Sequence, residues 1–439
     1  VDKAFTASIE GKLCPLTIAV FLKFHSDPEI FDVCQDIFKE LSENPDCVAP
    51  LQTRLLPTLI SMMSISDLEK SKDEGVRGVA LDVLEVLVQH SPQPLSSGLI
   101  ESAFPAACHC ILESTDNVTL QNGGEVIRAY LSVAAHQVIE HRDNLGRNGL
   151  HYILQIIAKL LNPQSSEFTA SFVGRLVTTL IRKAGSSLGE NLDLLLKAVL
   201  SKMQCTKTPT VMQSLLMIYA HLINSEFDAV LNFLSTVPGP TGESALAFVL
   251  TEWVNKQQLF YGSYDRKVAT VALSKILEYG VTQNDSRLNQ IVVDGDLIPS
   301  ANDSNGVRTR GKSQSAPMQW TRIPVLVKIF KLVVDELGYY LEATTAEQDV
   351  EESDDENDEE DDSIVDPGYD VNVAFMDSFE NENGDDTDPD LKQDTIYHLN
   401  IGQYLRDFLQ NFSSHHDFPA FAQHLNASER KTLNNISIF

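Results

Sequence analysis

Blocks of apolar residues at helical spacing return in pairs along this chain, and a capping or breaking turn separates the members of each pair. Leu13, Leu16, Val20 and Phe24 fall on one helical face. Ser26-Asp27-Pro28 then breaks the helix and caps the next, with Pro28 where its missing N–H costs nothing. Phe31, Cys34, Ile37, Phe38 and Leu41 follow on a second face. The same order recurs from Leu51 to Leu87, from Leu99 to Val133, and from Leu150 to Ile181, where Gly185 is the expected stop. It continues through Leu192–Met203, Val211–Ile223, Leu246–Trp253 and Val268–Leu277. Pro15, Pro57 and Pro105 occupy matching places in three first helices, 42 and 48 residues apart. Helix pairs returning every ~40–47 residues specify a HEAT or armadillo array. The expected fold is therefore all-α: an α-solenoid of HEAT-type helix pairs, roughly seven to nine of them, wound as a right-handed superhelix with a concave partner-binding face.

The repeat array is expected over 1–290, and the pattern then breaks. Ile291 to Ile298 reads as a small hairpin on the Asp294-Gly295 turn, followed by a polar loop, so that 291–321 is hairpin-like and basic. A further repeat helix is expected over 322–346 and terminal capping helices over 395–439, where Asn426 and Glu429 have capping-box spacing. Between them, 347–394 holds 22 acidic residues against the single base Lys392, a net charge of −21. The whole chain carries −29, which leaves −8 for everything else. Such a block repels itself and has little apolar surface to offset ordering entropy, so it reads as a disordered insertion. Its sign suits a basic partner and excludes nucleic acid and an anionic membrane surface. The candidate binding carboxylates are Asp349, Glu351, Glu352, Asp354, Asp355, Glu356, Asp358, Glu359, Glu360, Asp361 and Asp362.

Nothing in the chain points to catalysis or to a cofactor. Gly306-Val307-Arg308-Thr309-Arg310-Gly311-Lys312-Ser313 fits the phosphate-loop pattern, but no strand leads into it and no helix follows. Arg308, Arg310 and Lys312 read instead as a basic loop able to touch an acidic patch. Cys108-His109-Cys110 lacks a second ligand pair at zinc spacing, and His136 and His141 lack metalloprotease spacing. The six cysteines read as reduced core thiols, and the longest charge-free stretch, Thr208–Ser225, is amphipathic; no membrane insertion is expected. The chain begins at Val1 in helical sequence, and is expected to be part of a longer protein.

Several stretches closely resemble the karyopherin-β (importin-β) family, in its C-terminal part. They are Phe5-Thr6-Ala7-Ser8, Cys14-Pro15-Leu16-Thr17-Ile18-Ala19, Gln121-Asn122-Gly123-Gly124-Glu125, Ser166 to Val177, Leu188 to Asp193, Pro238 to Gly242 and Val307 to Arg310. The resemblance implies a HEAT-repeat import receptor, not an enzyme, that shuttles between cytoplasm and nucleus through pore FG repeats. It implies basic cargo such as core histones and ribosomal proteins, released under control of Ran-GTP, which binds mainly through the N-terminal half. The competing reading of the residues is a static HEAT scaffold in which the acidic block is a spacer. Salt-sensitive binding of basic proteins separates the two.

Overall fold

The computed structural model describes residues 2–64, 75–298, 319–351 and 389–439, with backbone only at 344–351 and 389. The chain divides into two compact units, Val1–Ile218 and Tyr219–Phe439. Both are built almost wholly of helices, and the fold is an all-α repeat array.

In the first unit, helices α1 (Lys3–Phe24), α3 (Pro45–Met63), α5 (Phe104–Glu113) and α7 (Gly149–Leu160) form one layer. Helices α2 (Pro28–Ser42), α4 (Val76–His90), α6 (Asn117–Glu140) and α8 (Val173–Leu188) form the other, each packed on its partner and on the next of its own layer. α9 (Asn191–Cys205) follows, and α10 (Pro209–Ser225) runs across the boundary. The expected caps are present. Asp27 accepts from Ile30 N with Pro28 leading α2, and Asp116 accepts from Thr119 N at 2.8 Å. Pro15 and Pro57 lie inside α1 and α3, and Pro105 in the first turn of α5.

Side-chain hydrogen bonds between neighbouring repeats report the period independently. Asn122 Nδ2 donates to Gly78 O across 44 residues, and Gln137 exchanges two bonds with the Leu95 backbone across 42. Lysines do this most heavily. Lys159 Nζ, in the last turn of α7, donates to the carbonyls of Ile111, Leu112 and Ser114 at 2.6–3.0 Å. One repeat on, buried Lys202 of α9 donates to Asn162 O and Ser165 O. Lys159 thereby satisfies carbonyls at the C-terminal end of α5 and complements its dipole, while Lys202 ties down the turn that follows α7.

In the second unit, α15 (Val325–Glu351) is the hub. α12 (Ala245–Lys256), which pairs with α11 (Phe227–Thr236), and α13 (Ser263–Gln283) pack on it, as does the short α14 (Ser286–Asn289). β1 (Val292–Ile298) and β2 (Gln319–Pro324) precede it as an antiparallel ribbon. After α16 (Pro389–Lys392), α17 (Ile401–Ser413) and α19 (Ala427–Asn435) close against it, with α18 (Phe418–Ala422) between them. Phe330 of α15, Phe412, Phe418 and Phe421 form one ring cluster there, with centroids 5.3–6.1 Å apart.

Several expectations are corrected. Asp294-Gly295 is not the turn of a hairpin within 291–298. That stretch is one strand whose partner is 319–324, and the register shifts between Asp294 and Leu297. The irregularity is a bulge, held by Asp296 N donating to Thr321 Oγ1 at 2.8 Å. Because 319–324 pairs there, the helix expected over 322–346 starts at Val325, and it runs to Glu351. Residues 347–351 are thus helical, and at the far end Asp394 accepts from the Tyr264 hydroxyl of α13 at 2.8 Å. α8 passes through Gly185 and ends before Gly189, where φ is +51°. Five cysteines are buried free thiols as expected, but Cys205, at the last residue of α9, is exposed. Among the described helices α1 is the one long and apolar enough to cross a membrane, with 28% of that window buried. It packs on α2 and α3 and carries buried Glu10 bonded to Arg54 of α3.

Candidate functional site

Of the candidate carboxylates, Asp349 and Glu351 lie in the last turns of α15. Glu352, Asp354, Asp355, Glu356, Asp358, Glu359, Glu360, Asp361 and Asp362 lie outside the described residues, as do Arg308, Arg310 and Lys312 and the phosphate-loop pattern that contains them. The structure therefore brings none of these side chains together. It shows instead a second acidic surface that the sequence reading missed.

That surface is the outer face of the α2–α4–α6 layer. On α2, Glu29, Asp32, Asp36 and Glu40, with Glu43 just past its end and paired with His90 at 2.8 Å, recur three or four residues apart and are all exposed, which places them along one stripe. Lys39 is the one base on the helix. Asp82 and Glu85 continue the charge on α4, and Glu125 on α6. Here the two helices approach closely. A Cβ on Gly78 would stand 3.2 Å from the Val118 side chain, and Asn122 bridges to the Gly78 carbonyl. The approach half-buries the carboxylates. Burial pushes Asp82 up to about 7, against a hydrogen bond from Asn122. Burial pushes Glu85 up to about 8, reinforced by the charge of Glu125 and opposed by Arg128. Arg128 is engaged by Glu125 at 2.7 Å. At neutral pH this cluster holds protons that a basic side chain would displace, because an opposite charge nearby favours the ionised form.

Half-buried carboxylates short of cations destabilise the fold that carries them. Glu85 has a folded pKa far above its ordinary 4.5. The folded state therefore binds the extra proton at this site, and the contribution of Glu85 to stability is fully present below pH ~4.5 and is lost as pH rises through the folded value. Glu85→Gln should accordingly be more stable than the parent by about 1–2 kcal/mol at pH 8–9, after allowance for the remaining solvent contact, and nearly equal at pH 4. Denaturant titrations across that range check it. A variant equally destabilised at every pH would contradict the assignment.

The second unit carries its own ionic junctions. Arg266 of α13 lies over the Tyr339 ring at 4.2 Å and pairs with Glu336 at 3.0 Å, joining α13 to α15. Lys331 of α15 is buried and donates to Asp296 Oδ2 (3.1 Å), His424 O (2.9 Å) and Glu429 Oε2 (2.9 Å). Glu429 completes the expected capping box with Asn426.

Comparison with known proteins adds a family to this geometry. Residues 78–294 match the family model described as importin-11-like, TPR repeats. Over 98% of its length the chain is 39% identical to importin-9 of Drosophila melanogaster, of which it covers 42%. It is 24% identical to importin subunit beta-5 of Schizosaccharomyces pombe over 76% of the chain and 32% of that protein. The Saccharomyces cerevisiae importin subunit beta-5 is 25% identical over 67% of the chain and 28% of that protein. The chain thus spans less than half the length of the curated relatives it matches.

Proposed function

Since the chain belongs to the importin (karyopherin-β) family, we propose that it forms part of a nuclear import receptor and holds basic protein cargo on its acidic surfaces. The observation that carries this reading is the carboxylate-rich α2–α4–α6 layer, with an exposed acidic stripe on α2 and the half-buried Asp82 and Glu85 on α4. A scaffold that bound enzymes through apolar ridges would gain nothing from that arrangement. The −21 of residues 347–394 adds a second acidic reservoir on the same chain. Core histone dimers and ribosomal proteins are the cargo class such surfaces fit, because their lysines and arginines meet carboxylates at every approach. Passage between cytoplasm and nucleus, FG-repeat contact and release by Ran-GTP complete the proposal.

The test uses neutralised stripes. Asp32→Asn, Asp36→Asn and Glu40→Gln together should weaken binding of a core histone dimer about tenfold at low salt, leaving helicity unchanged, since exposed charges act mainly through attraction and on-rate. Unchanged affinity in the triple variant would remove the α2 stripe from the cargo surface.

A further inference from the structure

The turn between α17 and α18 carries His415, His416 and Asp417, whose ligand atoms all lie within 4.8 Å of one another. His416 Nε2 is 3.2 Å from Asp417 Oδ1, and His415 Nδ1 is 3.7 Å from Asp417 Oδ2. A tetrahedral ion with ~2.0–2.2 Å bonds sets its ligand atoms about 3.3–3.5 Å apart, so the observed separations straddle what a bound ion requires. The rings are already held. His415 lies parallel to Phe412, with centroids 6.3 Å apart, and His416 packs on His415 at 4.3 Å. His415 Nδ1 accepts from Asp417 N–H at 3.3 Å, a long bond that an ion bound at this nitrogen would replace.

We propose that His415, His416 and Asp417 form a binding site for a borderline divalent cation of the Zn²⁺ class, which pins the turn between α17 and α18. Two imidazoles and one carboxylate suit Zn²⁺, whereas Mg²⁺ and Ca²⁺ require oxygen-dominated shells. Three protein ligands leave the remaining positions to water. His416 and Asp417 are 79% and 45% exposed at their side chains, so the ion enters without opening the fold.

The experiment is calorimetric titration of the metal-stripped chain with Zn²⁺, in a Cys205→Ser background that removes the exposed thiol. One saturable Zn²⁺ per chain is expected, together with a rise in the melting midpoint of the C-terminal helices. His416→Ala, a change at an exposed ring, should weaken binding by about tenfold or more and abolish the rise. Absence of saturable binding, equal affinity in His416→Ala, or Mg²⁺ binding as tightly as Zn²⁺ would each overturn the proposal.

Discussion

Lys331→Met should release the C-terminal helix α19 from α15 at a cost of about 3–5 kcal/mol, because it leaves the buried Glu429 carboxylate without the buried cation that faces it. The side chains of Lys331 and Glu429 are only 3% and 2% exposed. Burial alone would pull the ammonium pKa down, yet the hydrogen bonds and charges of Glu429 and Asp296 leave it raised. Without Lys331, the Glu429 carboxylate stays desolvated with only the Asn426 N–H for a partner. Three elements then lose their common anchor: the bulge of β1 at Asp296, the turn at His424 and the first turn of α19. Native-state hydrogen exchange should show faster opening at α19 and β1, with the α1–α8 layers unaffected. Adding Glu429→Gln, which keeps capping-box spacing, should recover part of the loss, since the buried charge goes while the cap remains. Identical protection in parent and Lys331→Met would show that apolar packing holds α19 and that the ion cluster is incidental.

Removing residues 352–362 should have the largest effect on binding. The deletion leaves α15 whole and takes out nine carboxylates. A histone dimer binds nucleic acid without specificity, so a receptor has to mask it as well as hold it. The rest of the chain outside 347–394 carries only −8, too little for that task. Charges tethered close to the cargo act at high effective concentration, and their reach is about 10 Å at 0.1 M salt. The deletion should therefore weaken histone binding tenfold or more at low salt and let competing DNA strip the cargo, with folding stability nearly unchanged. Equal protection by parent and deletion would reduce the segment to a spacer.

Most of the fold was legible because helical periodicity and turn chemistry are local. Asp27-Pro28, Asp116 and the Asn426–Glu429 box each announce a helix start within four residues. What escaped depends on pairing between distant stretches. Lys159 and Lys202 carried no signal in the sequence reading, because the carbonyls they bind belong to the preceding repeat. Asp294-Gly295 reads as a turn because its true partner strand begins 25 residues later. The sequence showed the net charge of 347–394 but not the α2–α4–α6 face. There, Asp82 and Glu85 are half-buried by the packing of α4 on α6, which the close approach at Gly78 helps to set.

The measurement that bears most directly on cargo gripping by acidic surfaces is the affinity of this chain for a core histone dimer as a function of salt. The parent should lose affinity steeply between about 0.05 and 0.3 M salt, as the screening length contracts. The slope should flatten in the 352–362 deletion and flatten further when the α2 stripe is neutralised as well. An affinity that ignores salt, or slopes that coincide in all three proteins, would contradict the account.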